Sequence, residues 1–140
     1  MDTSEKYIEM CEKAGEIQQL RKKAKDWDKG DWYHHLVCGG NIHVVSMKLN
    51  TWDITVQGSI WLPRQDQLQE IWMKHPEEHS DDARFEAKMD AFIYWLWGET
   101  FKHNFYLSQY HNFPSMEQLW LAFVMEEKYN KTWDGKEWVK

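Results

Sequence analysis

Residues Pro114 to Val139, PSMEQLWLAFVMEEKYNKTWDGKEWV, constrain the fold more than any other stretch. They read as a capped, densely apolar helix followed by a turn bracketed by tryptophans. Ser115 stands at the N-cap. Its hydroxyl can accept from the backbone N–H of Gln118, and the Gln118 side chain can reach back, which completes a capping box. Pro114 sets the approach of the chain, and Glu117 falls in the first turn, where the helix dipole favours negative charge. Met116, Leu119, Trp120, Phe123 and Val124 follow the spacing of one helical face. Leu121, Ala122 and Met125 widen that stripe, so the helix is expected to be contacted from two sides. The excess around Leu121 and Met125 serves either a second contact inside the domain or a partner. Asp134-Gly135 supplies the positive-φ position of a tight turn between Trp133 and Trp138.

The remaining chain supplies what this helix packs against. Tyr7, Ile8, Cys11, Ala14, Ile17 and Leu20 mark an amphipathic helix over residues 3 to 25, capped by Thr3 or Ser4 and weakened at Gly15. Its basic end, Arg21-Lys22-Lys23-Ala24-Lys25, suits the C-terminal pole of the helix dipole. Trp32 to Cys38 and Asn41 to Leu49 read as strands joined at Gly39-Gly40. Trp52, Ile54 and Val56 alternate with polar residues as a third strand, and Ser59 to Leu62 is a short fourth, ended by Pro63. Helices follow over Arg64 to Lys74, after Ser80, and over Phe101 to Tyr110.

The expected class is α+β: an antiparallel three- or four-stranded β-meander with about four helices packed mainly on one face. One domain spans 1–140, with an N-terminal helix in 1–25, the meander in 31–62, a helical part in 64–129 and the C-terminal turn in 130–140.

Charge and composition narrow the function classes. Net charge is −6, and the only basic cluster is Arg21 to Lys25, which disfavours a phosphate-tracking nucleic-acid binder. The longest apolar run, Ala91 to Trp97, is too short to cross a bilayer, so no membrane association is expected. Two cysteines and a polar, acidic N-terminus point to reduced cytoplasm rather than secretion. Ten Trp, six Tyr and six Phe stand out. At core-periodic positions they read chiefly as large side chains filling a small core.

The sequence contains no motif of a known catalytic constellation, and no cofactor is expected. Cys11 lies on an apolar stripe, where a buried inert thiol is expected. His34 and His35 point to opposite faces of one strand, so they cannot readily share an ion. His34 and Cys38 share a face but lie about 13 Å apart on an extended strand. With His43 across the hairpin, this group reads as cross-strand polar packing. His75 and His79, with Asp81 and Asp82 nearby, are the remaining metal candidates, although Pro76 breaks the helical register that would align the two imidazoles.

Several blocks carry a resemblance. They are Tyr7-Ile8-Glu9-Met10-Cys11-Glu12-Lys13-Ala14 with Glu16-Ile17-Gln18, then Gly30-Asp31-Trp32, then Trp61-Leu62-Pro63-Arg64-Gln65-Asp66-Gln67-Leu68-Gln69, and Met116 to Val139. As a set they resemble small proteins encoded by tailed phages and prophages of Firmicutes bacteria. The segment between Met73 and Phe113 has no counterpart in that resemblance. It carries over no catalytic or binding residue. It implies a phage accessory protein acting in the cytoplasm of the bacterial host.

The leading expectation is therefore a noncatalytic module that binds a phage or host protein. Trp120, Leu121, Met125, Trp133 and Trp138 are the candidate contact residues. A second reading stacks single-stranded nucleic acid on the aromatics, with Arg21, Lys22, Lys23 and Lys25 meeting phosphate. A third is a metal-dependent hydrolase using His75, His79, Asp81 and Asp82. The turns Gly30-Asp31-Trp32 and Asp134 to Trp138 are expected to pack near each other and clamp the chain ends.

Overall fold

The computed structural model describes residues 1–23, 26–35, 40–46, 49–50, 58–73, 86, 89–96 and 113–140. The expected strand Trp52 to Val56, the loop 75–82 and the helix Phe101 to Tyr110 lie outside them. The elements run α1 (Glu5–Lys13), α2 (Gly15–Lys23), β1 (Asp26–Trp27), β2 (Trp32–His35), β3 (Asn41–Val44), β4 (Leu49–Asn50) and β5 (Ser59–Leu62). They continue with α3 (Gln65–Met73), a helical stretch over 89–96 called α4, α5 (Met116–Tyr129), β6 (Thr132–Trp133) and β7 (Trp138–Val139). The architecture is α+β.

The expected single helix over 3 to 25 is broken. α1 starts at Ser4, whose hydroxyl accepts from the Tyr7 amide, and ends at Ala14, whose backbone has left the helical region. The Cys11 carbonyl accepts from the Ala14 amide and from Gln18 Nε2 at 3.0 Å. In a continuous helix its donor would be Gly15 N–H, and Gly15 is the weakest helix former in the segment. The break changes which residues turn inward: Leu20, expected on the buried stripe, is exposed, while Arg21 is buried.

Among the described residues the central sheet is antiparallel and three-stranded, in the order β3-β2-β5. β2 is therefore the middle strand, and β5 returns beside it with Tyr33 opposite Trp61 and His35 opposite Ser59. On the other side Tyr33 faces His43 and His34 faces Ile42. Ile60, Trp61 and Leu62 are consecutive and all buried, so β5 is covered on both faces. Pairing of the hairpin continues beyond β3, because the Val45 amide donates to the Asp31 carbonyl and the Gly30 amide to the Val45 carbonyl. β1 pairs with β4, and β6 with β7, as separate two-stranded ribbons.

The core is built on α5, where Gln118 through Met125 are all buried. Contact from more than one side is what the widened stripe requires. α3 packs along it, and α1 reaches both α5 and β5. Trp120 stacks on Phe92 of α4, with ring centres 4.0 Å apart, and Phe123 meets Trp72, Phe92 and Trp95 edge-on. Ser115 caps α5 as expected, accepting from the Gln118 amide at 3.1 Å. The reciprocal half of the box is replaced. Gln118 Nε2 donates instead to the Asp2 carboxylate at 2.7 Å and to Ser4 Oγ at 3.3 Å. α5 ends at Asn130, the left-handed residue at φ 52°.

The C-terminal turn closes as read, with Gly135 at φ 104° and Asp134 Oδ1 accepting from the amides of Lys136 and Glu137. Its anchor differs from expectation. Trp138 Nε1 donates to the Met10 carbonyl of α1 at 3.0 Å, and Lys131 pairs with Glu16 of α2 at 2.6 Å. The Gly30 to Trp32 turn is tied to Arg21, Arg64 and Gln67 instead.

Candidate functional site

The five residues expected to contact a partner do not form a surface patch. Trp120 is 2 % exposed, Leu121 and Met125 are 0 %, and Trp138 is 8 %. Trp133 is half-buried against Trp138, with ring centres 5.0 Å apart. This corrects the partner-facing assignment. The apolar excess on α5 is consumed inside the domain, because α1, α3 and α4 all pack around that helix. The apolar side chains left outward elsewhere include Ile93 and Tyr94 of α4, at 45 % and 76 % exposure. On the same helix Phe92 and Leu96 are buried, and Trp95 Nε1 donates to Glu126 of α5 at 3.0 Å.

The basic cluster is divided as well. Arg21 turns inward and pairs with Asp31 at 2.7 Å, while Lys22 and Lys23 are exposed and Lys25 lies outside the described residues. Asp31 is 1 % exposed and heavily engaged. It accepts from Gln67 Nε2 at 2.6 Å and from the Asp28 amide at 2.8 Å, and Arg64 stands 3.9 Å away. Arg64 also donates to the Gly30 carbonyl at 2.7 Å and forks onto Asp66. The Arg21 guanidinium lies over Trp27 at 4.8 Å and Trp61 at 5.7 Å. A buried charge is tolerated when it is paired and hydrogen-bonded, and Asp31 meets both conditions.

One face of the sheet continues from this node as a ladder of rings. Residues directly opposite in an antiparallel pair share a face, so Trp61, Tyr33 and His43 lie on one side. Tyr33 meets Trp27 edge-on at 5.5 Å and stacks on His43 at 5.4 Å with planes 22° apart. His35 stands beside both, 6.4 Å from Tyr33 and 6.3 Å from His43 between ring centres. His34 points to the other face and bonds the Gly40 carbonyl through Nε2 at 2.9 Å. The parity argument separating His34 from His35 thus describes the strand correctly. The close approach of His35 and His43 depends on hairpin register, which residue types alone did not specify.

The remaining candidates fall as follows. His75, His79, Asp81, Asp82 and Cys38 lie outside the described residues. Cys11 is fully buried, and burial pushes its thiol far above the ordinary range, with the hydrogen bond to Tyr7 acting weakly the other way. Glu126 accepts a hydrogen bond from the Trp95 indole N–H, and Glu127 is exposed. A hollow of about 300 Å³ lies between the starts of α3 and α5, lined by Arg64, Gln65, Asp66, Gln69, Glu117 and Met1. Its Arg64 is already neutralised by Asp66. Among the described residues no three His, Cys, Asp or Glu side chains converge as metal ligands, and no helix is long and apolar enough to cross a membrane.

Sequence reasoning missed Asp2, Gln18 and Asp31 as organising groups. Asp31 had a signal, since it sits in a glycine turn between tryptophans. Asp2 and Gln18 had none, because their partners are distant in the chain. Comparison of the chain with protein-family models, curated proteins and solved structures returned no match.

Proposed function

We propose that this chain is a noncatalytic protein-binding module, encoded by a tailed phage or prophage and acting in the cytoplasm of its bacterial host. The observation that carries the binding reading is the outer side of α4. Tyr94 and Ile93 are adjacent, exposed and apolar, on a helix whose opposite side is anchored by Phe92 and Leu96. A tyrosine offers large contact area at low entropic cost, and tyrosine is enriched where binding energy concentrates. The net charge of −6 favours a basic partner surface. The resemblance to small phage proteins supports the setting.

The test is capture from host lysates before and after phage infection, with wild-type protein and with a Tyr94→Ser/Ile93→Asp variant. The expected result is one protein retained by wild type and lost with the variant. Equal capture by both, or none from either lysate, defeats the reading. Of the cations that the nucleic-acid alternative would set against phosphate, Arg21 is held by Asp31, while Lys22 and Lys23 are exposed.

A further inference from the structure

We propose that Asp90 and Tyr94 of α4 form a receiving site for one arginine of a protein partner, with Ile93 covering the apolar part of the same contact. The inference rests on the reading of this side of α4 as a binding surface. Residues four apart on a helix stand one turn over another, with Cβ atoms about 5–6 Å apart. Asp90 and Tyr94 have this spacing within α4, and Ile93 stands between them on the exposed side. At 76 % exposure Tyr94 leaves most of its ring open to solvent. Among the described residues no cation pairs with Asp90 and no ring stacks on Tyr94. One side of the helix thus offers a carboxylate and an aromatic face together.

That pairing selects arginine. A guanidinium is planar, so it can lie on an aromatic ring and aim its fork of N–H donors at a carboxylate, whereas an ammonium is a compact, strongly hydrated charge. The fold uses the same combination internally. The Arg21 guanidinium pairs with Asp31 at 2.7 Å and lies 4.8 Å from the ring centre of Trp27. At α4 the chain supplies the carboxylate and the ring, and the partner supplies the cation. Charge around the site favours the same occupant. Glu126 of α5 accepts from the neutral indole of Trp95, so its carboxylate lies at the Trp95 margin of α4. Glu86 is helical and exposed, four residues ahead of Asp90. These carboxylates and the net charge of −6 attract a cationic partner and disfavour a second copy of this chain. Ile93 adds apolar area, so the arginine belongs beside apolar residues of the partner and not in a purely basic tail.

The experiment is fluorescence anisotropy of the full-length protein with two labelled amphipathic helical peptides. Both consist of leucine and alanine with identical basic positions, filled by arginine in one and by lysine in the other. Wild type should bind the arginine peptide about threefold or more tightly than the lysine peptide. Asp90→Asn and Tyr94→Ser should each remove most of that preference. Glu12→Gln, which removes an exposed charge from α1, should leave it unchanged. All three substitutions are at exposed positions, and thermal melts confirm folding. Equal binding of the two peptides by wild type overturns the proposal. So does a preference that survives both Asp90→Asn and Tyr94→Ser, which would assign the arginine to other carboxylates. Lysate capture separates this inference from the reading beneath it. A protein captured by wild type and lost with Tyr94→Ser/Ile93→Asp, without any peptide preference, keeps the binding module and overturns the arginine site. A peptide preference carried by Asp90 and Tyr94, without any captured protein, keeps the arginine site and defeats the phage or host partner.

Discussion

The side-chain amide of Gln18 pairs with the backbone of Trp61 as a neighbouring strand would. Gln18 Oε1 accepts from the Trp61 N–H at 2.9 Å, and Gln18 Nε2 donates to the Trp61 carbonyl at 2.9 Å. The same Nε2 reaches the Cys11 carbonyl at the break between α1 and α2. One residue thus seals the outer edge of β5 and satisfies the backbone where the N-terminal helix gives way. Unpaired strand edges invite association, and covering them with a helix is one way to prevent it.

Gln18→Leu should therefore destabilise the fold by about 1–3 kcal/mol, since it removes the partner of the part-buried Trp61 amide and carbonyl. Chemical denaturation would measure this. A loss below about 0.5 kcal/mol, the level of an ordinary surface substitution, would show that solvent replaces both contacts.

Asp31→Ala should cost about 3–5 kcal/mol, because it leaves the Arg21 guanidinium buried without its counter-charge. Replacing both partners, as Arg21→Met with Asp31→Leu, should recover much of that loss, as apolar groups need no pairing. A double variant no more stable than Asp31→Ala alone would mean that Gln67 and Arg64, rather than Arg21, carry the dependence.

Acid should weaken the junction between the starts of α1 and α5. Burial pushes the Asp2 carboxyl up, but hydrogen bonds from Ser115, from the Ser4 amide and hydroxyl and from Gln118 together outweigh it and hold the group below the usual carboxylate range. A depressed folded-state pKa contributes stability above the unfolded value, about 3.9 for Asp, and that contribution is lost as pH falls through the folded value. Asp2→Asn should thus melt earlier than wild type at pH 7, with the two melting temperatures converging towards pH 3. A constant gap across that range would assign the effect to shape rather than charge.

Trp138→Ala should lower stability by about 3–5 kcal/mol, the usual cost of truncating a buried aromatic. It also removes the hydrogen bond to the Met10 carbonyl. An unchanged melt would place the C-terminal turn outside the cooperative unit.

Leu121→Ala and Tyr94→Ser separate core from surface. The first should cost about 2–5 kcal/mol, as a fully buried leucine truncated to alanine does. The second should stay within about 0.5 kcal/mol of wild type, leaving Tyr94 free to be judged by binding alone. Comparable losses in both would contradict the exposed position of Tyr94.

The elements legible in the sequence are those decided within a few residues. The Ser115 cap, the apolar surround of α5, the positive-φ glycine at 135 and the opposite orientations of His34 and His35 follow from local stereochemistry, and the structure reproduces each. The α+β class follows from the same local periods. Three other features depended on tertiary structure. Residue periodicity implied an unbroken helix through Ala14, but the helix breaks there, and the Cys11 carbonyl accepts from Gln18, which also meets β5. Arg21 appeared part of a basic tail until Asp31, ten residues on, took its charge into the interior. Leu121 and Met125 suited a partner or a core equally well, because hydrophobicity sets how strongly a side chain avoids water and not what covers it. Local sequence determines torsion preferences and the apolar face. Which distant group meets that face, and which polar atom completes a buried hydrogen bond, is decided only when the whole chain packs.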